Sequence, residues 1–337
     1  MDFELGSTCN FECIMCSGEY SSTIRKNREG KPVYYSPYEE YQEEFISQLI
    51  PFIPLLKEMR FTGGEPFLME IYYKIWEKVI DINPKILISI ISNGSILNNK
   101  VKKIVERGNF KISLSIDSLN KTTYEAIRIN GKFENIIENA QYFQEICTKN
   151  GYVMNYNICV MRQNYKEIPE YFEYCNLRDI KVILHHVTFP AHCSIWNLSA
   201  LELKEIVILY ENVHLPNKEK VSGIKRHNMN TFLSLKKHIN TLYQEALKRE
   251  EIHYLNDKVK LIYEIEKRIQ ANTDYLNYKK NFNYMATIEK LINNFDESDQ
   301  LIILNYIFNM EIKILIDEFN ISTEERILER LKLLINQ

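Results

Sequence analysis

Short apolar runs alternate with amphipathic segments through the first 190 residues of the chain. The apolar runs lie near residues 2–7, 58–62, 86–92, 110–116, 152–161 and 180–188. Runs of this length, separated by segments long enough for a helix, predict β-α units around a parallel sheet. The sequence therefore predicts an α/β fold built as a partial (β/α)6 barrel.

The chemically distinctive segments each follow one of these predicted strands. A cysteine-rich loop follows the first strand, Gly63-Gly64-Glu65-Pro66 follows the second, Ser92-Asn93-Gly94 the third and Asp117 the fourth. In a parallel barrel, functional groups gather at the carboxyl ends of the strands. The sequence therefore predicts a single site at this edge of the sheet.

The fifth predicted strand has two faces of different character, because side chains alternate along a strand. One face carries Met154, Tyr156, Ile158 and Val160. The other face carries Asn155, Asn157, Cys159 and Met161. We expect the apolar face to contact helices and the asparagine-bearing face to line the barrel.

The cysteine-rich loop contains Cys9, Cys13 and Cys16 in the spacing C-x3-C-x2-C. Thiolates favour iron–sulfur clusters, zinc or Cu(I), and three thiolates are one short of the four that ligate a cubane cluster. One iron of such a cluster would stay open to a small molecule. A structural zinc site is an alternative, but it would need further Cys or His ligands at short spacing, and no C-x2-C recurs after Cys16. A second alternative is that the three cysteines are simply buried and bind no ligand, which the polar neighbours Asn10 and Glu12 disfavour.

With this loop and Gly63-Gly64-Glu65-Pro66, the chain resembles the radical S-adenosylmethionine (radical SAM) superfamily. The two segments match the cluster loop and the GGEP motif of that superfamily, and the resemblance covers about residues 2 to 190. It implies a partial (β/α)6 TIM-like barrel, and a [4Fe-4S] cluster and S-adenosyl-L-methionine as cofactors. It also implies a flavodoxin or ferredoxin as the electron donor.

The resemblance assigns roles to individual residues. Cys9, Cys13 and Cys16 would be the metal ligands, and the fourth iron would chelate the methionine end of S-adenosylmethionine. The residues that would bind this cofactor are Met15, Gly63, Gly64, Glu65, Ser92, Ser115 and Arg128. Among them, Glu65 would accept from the cofactor's ammonium group and Arg128 would pair with its carboxylate.

For some of these residues a purely structural role is the alternative. Ser92 and Ser115 could be capping serines or ordinary strand serines, and Arg128 could be a solvated helix residue. Met15 stands where many relatives have an aromatic residue. A flexible thioether at this position could still cover an adenine.

His185, His186 and Cys193 lie at or just past the sixth predicted strand, where a substrate would enter. A thiol at this place could donate a hydrogen atom to a substrate radical, and a histidine could move a proton. Cys193 is therefore predicted as a catalytic residue. The alternative is that Cys193 is simply buried, as many free cysteines are.

Beyond Pro190 the pattern changes to long amphipathic helices, near residues 200–212, 229–250, 256–271, 284–294, 298–319 and 323–335. Ser322 and Glu325 predict a capping box for the last of these helices. We therefore predict a barrel domain over residues 1–198 and an α-helical C-terminal region of unknown role over residues 199–337.

Two further segments relate to the kind of substrate. The stretch from Thr188 to Leu198 resembles the segment after the barrel in twitch-type radical SAM proteins. Relatives with a SPASM domain hold auxiliary clusters through C-terminal cysteines, and no cysteine follows Cys193 in this chain. The loop from Ser17 to Tyr38, with its cationic and tyrosine side chains, predicts a lid or a peptide-binding edge. A solvated surface loop is the alternative.

Net charge and cysteine content limit the binding partners and the cellular compartment that the sequence predicts. A net charge of -3 and a pI near 6.2 give no overall attraction to nucleic acid. The chain shows no signal peptide and no apolar run of about 18 residues. Together with thiolate ligands that need a reducing compartment, these features predict a cytoplasmic protein without a membrane partner.

The sequence as a whole predicts a radical SAM enzyme. It would reductively cleave S-adenosylmethionine and use the 5'-deoxyadenosyl radical to modify a peptide or protein, or else a small metabolite, with RNA as a third choice. The alternative is a non-catalytic partner-binding or regulatory protein with an inherited cluster site. The intact cysteine triad, Glu65 and Ser115 favour the enzyme.

Overall fold

The computed structural model describes residues 1–30, 43–188, 190, 192–196, 198–215, 221–251, 257–271, 283–310, 312–321 and 323–335. The chain divides into two compact units. The first comprises Met1–His185 and His214–Leu233, and the second comprises His186–Val213 and Ser234–Gln337. Ser322, which was predicted to cap the last helix, and the later part of the predicted lid from Ser17 to Tyr38 lie outside the described residues.

Within the described part of the chain, six strands form one sheet in the order β1-β2-β3-β4-β5-β6. The strands are β1 (Asp2–Phe3), β2 (Glu58–Phe61), β3 (Leu87–Ser92), β4 (Phe110–Ser115), β5 (Asn155–Val160) and β6 (Lys181–His186). The pairs from β1 to β5 are parallel. Sequential order with parallel pairing confirms the predicted α/β fold, the partial barrel of β-α units.

Most helices of the first unit lie between these strands. They are α1 (Ser22–Asn27), α2 (Glu43–Leu49), α3 (Glu70–Ile82), α4 (Asn99–Arg107), α5 (Lys121–Ile127), α6 (Phe133–Lys149) and α7 (Ile168–Leu177). Short 3-10 helices occur at Ile50–Leu55, Pro66–Leu68 and Tyr165–Glu167.

The core of this unit lies between the sheet and its helices. Helix α3 turns an apolar stripe towards the sheet, and its Trp76 is fully buried. The Trp76 ring meets Phe61 of β2 with centroids 5.5 Å apart and Phe110 of β4 at 5.7 Å. These edge-to-face contacts fix the helix on one face of the sheet and leave the other face to line the barrel.

The second unit is helical in its described part. Its helices are α8 (Ala200–Glu211), the later part of α9 (Gly223–Glu251), α10 (Lys258–Gln270), α11 (Tyr284–Ile292), α12 (Glu297–Asn309), α13 (Ile312–Ile321) and α14 (Glu324–Ile335). A capping box of Ser199 and Glu202 starts α8. None of the helices in the described ranges has both the length and the apolar character needed to cross a membrane.

The single helix predicted over residues 298–319 is wrong, because the structure has two helices there. The first ends at Asn309, and the backbone of the next residue, Met310, leaves the helical region with φ -65° and ψ 139°. Neither glycine nor proline stands at this point. The sequence therefore carries none of the usual signals for a helix end.

The first residues of α9 belong to the first unit, and they cover the edge of its sheet. The Asn228 side chain is fully buried. Its Nδ2 donates to the carbonyl of Ile180 at 2.9 Å, and its Oδ1 accepts from the amide of Val182 at 2.9 Å. One side-chain amide thus satisfies backbone groups of β6 and of the residue before it, which would otherwise be open for pairing with another chain.

Candidate functional site

The cysteine loop follows β1 and is held by the start of α1. The amide of Cys9 donates to Ser22 Oγ at 3.2 Å, and Thr23 Oγ1 donates to the carbonyl of Cys9 at 2.6 Å. Ser21, the residue that caps α1, donates from Oγ to the carbonyl of Phe11 at 2.7 Å. The same hydroxyl-bearing residues therefore begin the helix and fix the loop.

A second support comes from the segment that follows α5. The amide of Glu12 donates to the carbonyl of Ile129 at 3.0 Å, and the amide of Ile14 donates to that of Ile127 at 2.9 Å. These two bonds place Arg128 directly beside the cysteine loop. The loop is thus fixed from both sides by hydrogen bonds.

All three loop cysteines are free thiols; Cys13 is buried, whereas Cys9 and Cys16 are half-buried. The amide of Phe11 lies 3.5 Å from Cys9 Sγ. Among the described residues, no three Cys, His, Asp or Glu side chains are already grouped as a metal site. The protein therefore presents the three thiols on one short loop without locking them at ligand distances.

The thiols of the loop are hard to ionise. Burial raises the pKa of Cys9 to about 11 and that of Cys16 to about 12, and the neighbouring loop cysteines add to both shifts. Burial also raises the pKa of Cys13, against the pull of the Arg128 guanidinium. Because a bound metal cation stabilises thiolates, metal binding would lower the pKa values of these thiols again.

Two side chains direct N–H groups at the sulfur atoms. Asn93 Nδ2 lies 3.9 Å from Cys9 Sγ, and Arg128 Nη1 lies 3.8 Å from Cys13 Sγ. Three soft ligands on one loop, with hydrogen-bond donors facing the sulfurs, form the kind of ligand set that suits an iron–sulfur cluster. The residues present therefore fit the cofactor predicted from the sequence.

The guanidinium of Arg128 also meets a buried carboxylate. Arg128 Nε lies 2.7 Å from Asp117 Oδ2. The contact is an ion pair, and neither Nε nor Oδ2 makes a hydrogen bond. The other oxygen of Asp117 accepts from the amide of Cys159 at 2.7 Å. Arg128 is only 7% exposed, which contradicts the alternative that it is a solvated helix residue.

The turn of Gly63 and Gly64 packs against the chain that leads from β1 into the cysteine loop. The amide of Gly64 donates to the carbonyl of Gly6 at 2.9 Å, and that of Glu65 donates to Thr8 at 2.7 Å. A Cβ on Gly63 would lie 2.5 Å from the oxygen of Gly6, and one on Gly64 would lie 2.3 Å from that of Thr8. Gly63 also has a φ of +111°. Only glycine fits at both positions.

The carboxylate of Glu65 is fully buried and accepts three hydrogen bonds. Oε1 accepts from Ser92 Oγ at 2.9 Å and from the amide of Phe67 at 3.1 Å, and Oε2 accepts from the amide of Asn93 at 2.7 Å. Burial raises the pKa of Glu65 to about 7, although the three donors oppose the shift. Glu65 and Ser92, both predicted as site residues, are therefore in direct contact.

A small polar network continues from Glu65 to the cysteine loop. Asn93 Nδ2 donates to Asn10 Oδ1 at 3.0 Å, and Asn93 Oδ1 accepts from Ser95 Oγ at 2.6 Å. Asn10 Nδ2 in turn donates to Ser95 Oγ at 3.0 Å. Asn93 thus connects the turn after β2 with the loop after β1.

The remaining predicted site residues lie in different places. Ser115 is half-buried at the end of β4, and Met15 is half-buried within the cysteine loop. Cys193 belongs to the second unit, where its side chain is fully buried. Its catalytic role stays a prediction.

Asn93 and Asp117 were predicted only as parts of the strand-end site, and Cys159 only as part of the inner face of β5. The structure brings all three to the cysteine loop. The position of Asn93 and Asp117 directly after strands was a usable signal. So was the alternation that placed Cys159 on the inner face of β5. Burial raises the pKa of Cys159, and the nearby charges include Asp117, Arg128 and Cys13. The specific partners depend on how loops cross, which spacing does not reveal.

Residues 3–175 match the family described as the Radical SAM superfamily. Over 205 residues the chain is 27% identical to the GTP 3',8-cyclase of Aliarcobacter butzleri, covering 59% of each protein. Over 181 residues it is 28% identical to the probable GTP 3',8-cyclase of Methanocaldococcus jannaschii, covering 54% of this chain and 55% of that one. The chain therefore spans little more than half the length of these curated relatives.

Similar solved structures include anSMEcpe with bound AdoMet, at 18% identity and a TM-score of 0.44, covering 62% of this chain and 58% of that one. They also include Streptococcus suis SuiB bound to the precursor peptide SuiA, at 14% identity and a TM-score of 0.43. That match covers 61% of this chain and 43% of SuiB.

Proposed function

Because this chain belongs to the radical SAM superfamily and is an enzyme, we propose that it modifies its substrate through reductive cleavage of S-adenosylmethionine. In this proposal Cys9, Cys13 and Cys16 hold a [4Fe-4S] cluster, and S-adenosylmethionine binds beside it. When bound, these cofactors supply a one-electron cleavage that yields methionine and a 5'-deoxyadenosyl radical, which removes a hydrogen atom from a substrate carbon.

The observation that carries the proposal is the environment of the three thiols. Two N–H donors, Asn93 Nδ2 and Arg128 Nη1, face the sulfurs of Cys9 and Cys13. A positive guanidinium and a carboxamide beside sulfur ligands stabilise the negative charge that accumulates on a reduced cluster. Isolated buried thiols would need neither donor.

The residues proposed to bind S-adenosylmethionine have hydrogen-bonding groups that the protein itself does not use. An ionised carboxylate has about four lone-pair sites, and Glu65 uses three of them, so an ammonium group of the cofactor could take the last. Arg128 places Nε 2.7 Å from Asp117 Oδ2 and Nη1 3.8 Å from Cys13 Sγ, which leaves Nη2 for a carboxylate. Gly63 and Gly64 offer backbone, Ser92 and Ser115 offer hydroxyls, and Met15 offers an apolar cover for the adenine.

For the substrate we propose a peptide or protein side chain first and a small molecule second. The second candidate is favoured by the curated relatives, which are named for an activity on GTP. A flavodoxin-type or ferredoxin-type protein would supply the electron. In the proposed reaction Cys193 remains a candidate hydrogen-atom donor.

The proposal is tested by anaerobic reconstitution of the full chain with iron and sulfide. The reconstituted protein should hold close to four irons and form 5'-deoxyadenosine from S-adenosylmethionine when reduced with dithionite. Cys13→Ala should lose both the iron and the product, because only two ligands of the loop remain. Iron content and chromatography of the nucleoside products provide the measurements.

Cys175→Ala is the matched control, since Cys175 is equally buried but lies on α7 outside the loop. This variant should retain iron and product formation. Wild-type protein that binds iron but forms no 5'-deoxyadenosine would refute the proposed function.

A further inference from the structure

The inner face of β4, β5 and β6 carries a strip of polar side chains, of which only Ser115 is among the proposed cofactor contacts. Ser113 and Ser115 of β4 lie in register with Asn155 and Asn157 of β5. Asn155 and Ser115 are half-buried and His185 of β6 is exposed. The strip is therefore accessible at Ser115, Asn155 and His185, whereas the opposite face of β5, with Tyr156 and Ile158, is fully buried.

Each asparagine in the strip is held by one atom and presents the other. Asn155 Nδ2 donates to Ser113 Oγ at 3.0 Å, and its buried Oδ1 has no hydrogen-bond partner. Asn157 Oδ1 lies 3.3 Å from His185 Nε2, and its buried Nδ2 has no hydrogen-bond partner. Asn157 is 92% buried, being only 8% exposed. The strip thus offers one fixed acceptor and one fixed donor.

Unsatisfied buried groups of this kind are costly. Each costs about 1–3 kcal/mol relative to a satisfied group, and native proteins keep few of them unless they serve a purpose. A ligand that brings a carbonyl to Asn157 Nδ2 and an N–H to Asn155 Oδ1 would satisfy both. We propose that the inner face of β5 is a substrate subsite that recognises an amide group, either a peptide amide or the lactam edge of a nucleobase.

The chemistry of the strip selects this class over charged groups. Among the residues of the strip only His185 can carry a positive charge, and it is exposed. Ser113, Ser115, Asn155 and Asn157 are neutral, so a phosphate or a carboxylate bound at the two asparagines would meet no buried counter-charge. A carboxylate would also have no hydrogen to give to Asn155 Oδ1. An amide or lactam supplies both a donor and an acceptor, and it is neutral.

The position of the subsite suits the proposed reaction, on which this inference rests. Cys159 follows Asn157 on the same face of β5, about 6.6 Å further along the strand. The amide of Cys159 donates to Asp117 Oδ1 at 2.7 Å, and Asp117 pairs with Arg128, whose Nη1 lies 3.8 Å from Cys13 Sγ. An amide bound at Asn157 would therefore place neighbouring carbon atoms near the cysteine loop.

A first test needs no ligand and compares Asn157→Leu with Asn164→Leu. Asn164 is equally buried, but its side chain is satisfied: Oδ1 accepts from Met161 at 2.8 Å, and Nδ2 donates to Asp117 at 2.7 Å. Asn164→Leu should lower the unfolding midpoint in urea. Asn157→Leu should leave it unchanged or raise it, since it removes a buried donor that has no partner. A clear loss of stability in Asn157→Leu would show a structural role and overturn the inference.

A second test measures binding to the reconstituted full chain by calorimetry in the presence of S-adenosylmethionine. One arm uses N-acetyl dipeptide N-methylamides and the matching esters, which lack the N–H group. The other uses guanosine and 2-aminopurine riboside, which lacks the lactam. One amide or lactam probe should bind, and its control should bind more weakly.

Two substitutions decide whether the strip is responsible. Asn157→Asp replaces the donor by an acceptor and should weaken binding about 10- to 100-fold. Asn155→Asp keeps the acceptor, and the Ser113 hydroxyl can donate to it, so binding should change less than about threefold. Equal effects of the two variants, or no binding in either arm, would overturn the inference. Product formation by the wild type is read separately, so a failure of the proposed function remains distinguishable.

Discussion

At the scale of single residues, two buried charged side chains organise the site. Glu65 gathers donors from the turn after β2 and from the end of β3. Arg128 stands between the Asp117 carboxylate and the Cys13 sulfur. Breaking a buried pair by removing one partner leaves the other charge uncompensated, which is more costly than losing the attraction itself. Substitutions at these positions therefore affect the cysteine loop through charge as well as through contacts.

The Glu65 carboxyl should make the metal-free protein less stable as the pH rises. Its pKa is about 7 in the folded chain because of burial, against about 4.3 in an unfolded chain. The fold thus favours the protonated carboxyl. The resulting stabilisation of the folded chain is complete below about pH 4.3 and is lost as the pH rises through about 7. Between pH 5 and pH 8 the wild type should lose about 2–3 kcal/mol relative to Glu65→Gln.

The measurement is urea unfolding of both proteins at the two pH values. A constant offset between them is expected in addition, because the Gln amide cannot accept all three hydrogen bonds. The prediction is therefore tested only by how the stability difference between wild type and Glu65→Gln changes with pH. Parallel pH profiles would show that Glu65 is already ionised in the fold at pH 5.

The types of residue at the site were predictable from the sequence, but their partners were not. The cysteine spacing and Gly63-Gly64-Glu65 were sufficient to predict the cofactor and the region of the sheet that would hold it. The ion pair between Arg128 and Asp117 was not predicted, since it depends on the path of the chain after α5. Similarly, the link from Asn93 to Cys9 joins residues on two different loops.

At the scale of elements, the seam between the Gly63-Gly64 turn and the segment from Gly6 to Thr8 determines where the cysteine loop starts. Backbone hydrogen bonds continue the pairing of β1 and β2 beyond the two strands. The sequence predicted where the two strands lie, although β1 ends at Phe3 and not at residue 7, and it did not predict the closeness of the turn to the loop. The pattern of apolar residues indicates which face of a strand is buried. The close approach of the Gly63-Gly64 turn to the segment from Gly6 to Thr8 depends on backbone atoms alone.

We expect Gly64→Ala to destabilise the protein by about 3 kcal/mol or more. The added Cβ would lie 2.3 Å from the carbonyl oxygen of Thr8, which is backbone and cannot rotate away. Gly151→Ala is the control: its φ is +78° and nothing lies within 4 Å of the added Cβ, so it should cost only about 1–2 kcal/mol of conformational strain. Urea unfolding gives both values.

The same pair of variants should differ in cofactor loading. Gly64→Ala shifts the loop and should reduce iron incorporation, whereas Gly151→Ala should not. A Gly64→Ala protein as stable as the wild type and fully loaded with iron would show that the seam can open without consequence.

At the scale of the whole molecule, the chain consists of a barrel unit, with the described part of the site, and a helical unit whose role the sequence leaves open. The helical character of the second unit was predictable from its periodicity. The break at Met310 was not, since it carries no glycine or proline signal. Packing against neighbouring helices decides such breaks, and the local sequence does not encode it.

Cluster loading should stabilise the folded chain against heat. A cofactor that binds only the folded state at 1,000 times its dissociation constant adds about 4 kcal/mol of stability. For a unit of this size, each kcal/mol raises the unfolding midpoint by about 2–4 °C. Circular dichroism of reconstituted and iron-free protein, prepared without oxygen, should therefore show midpoints that differ by several degrees.

Cys13→Ala, which lacks one proposed ligand, should show no such gain after the same treatment. Identical midpoints for loaded and iron-free wild type would mean that the iron is bound outside the folded loop.

The absence of side chains at Gly63 and Gly64 also bears on how this protein can change over generations. Any substitution at either glycine meets the main chain of the segment from Gly6 to Thr8. A viable descendant would have to move that distant stretch simultaneously, so the two segments, Gly6 to Thr8 and Gly63 to Gly64, must be inherited together. A graft that transplants the thiol loop into another scaffold without its glycine partner should fail for this reason.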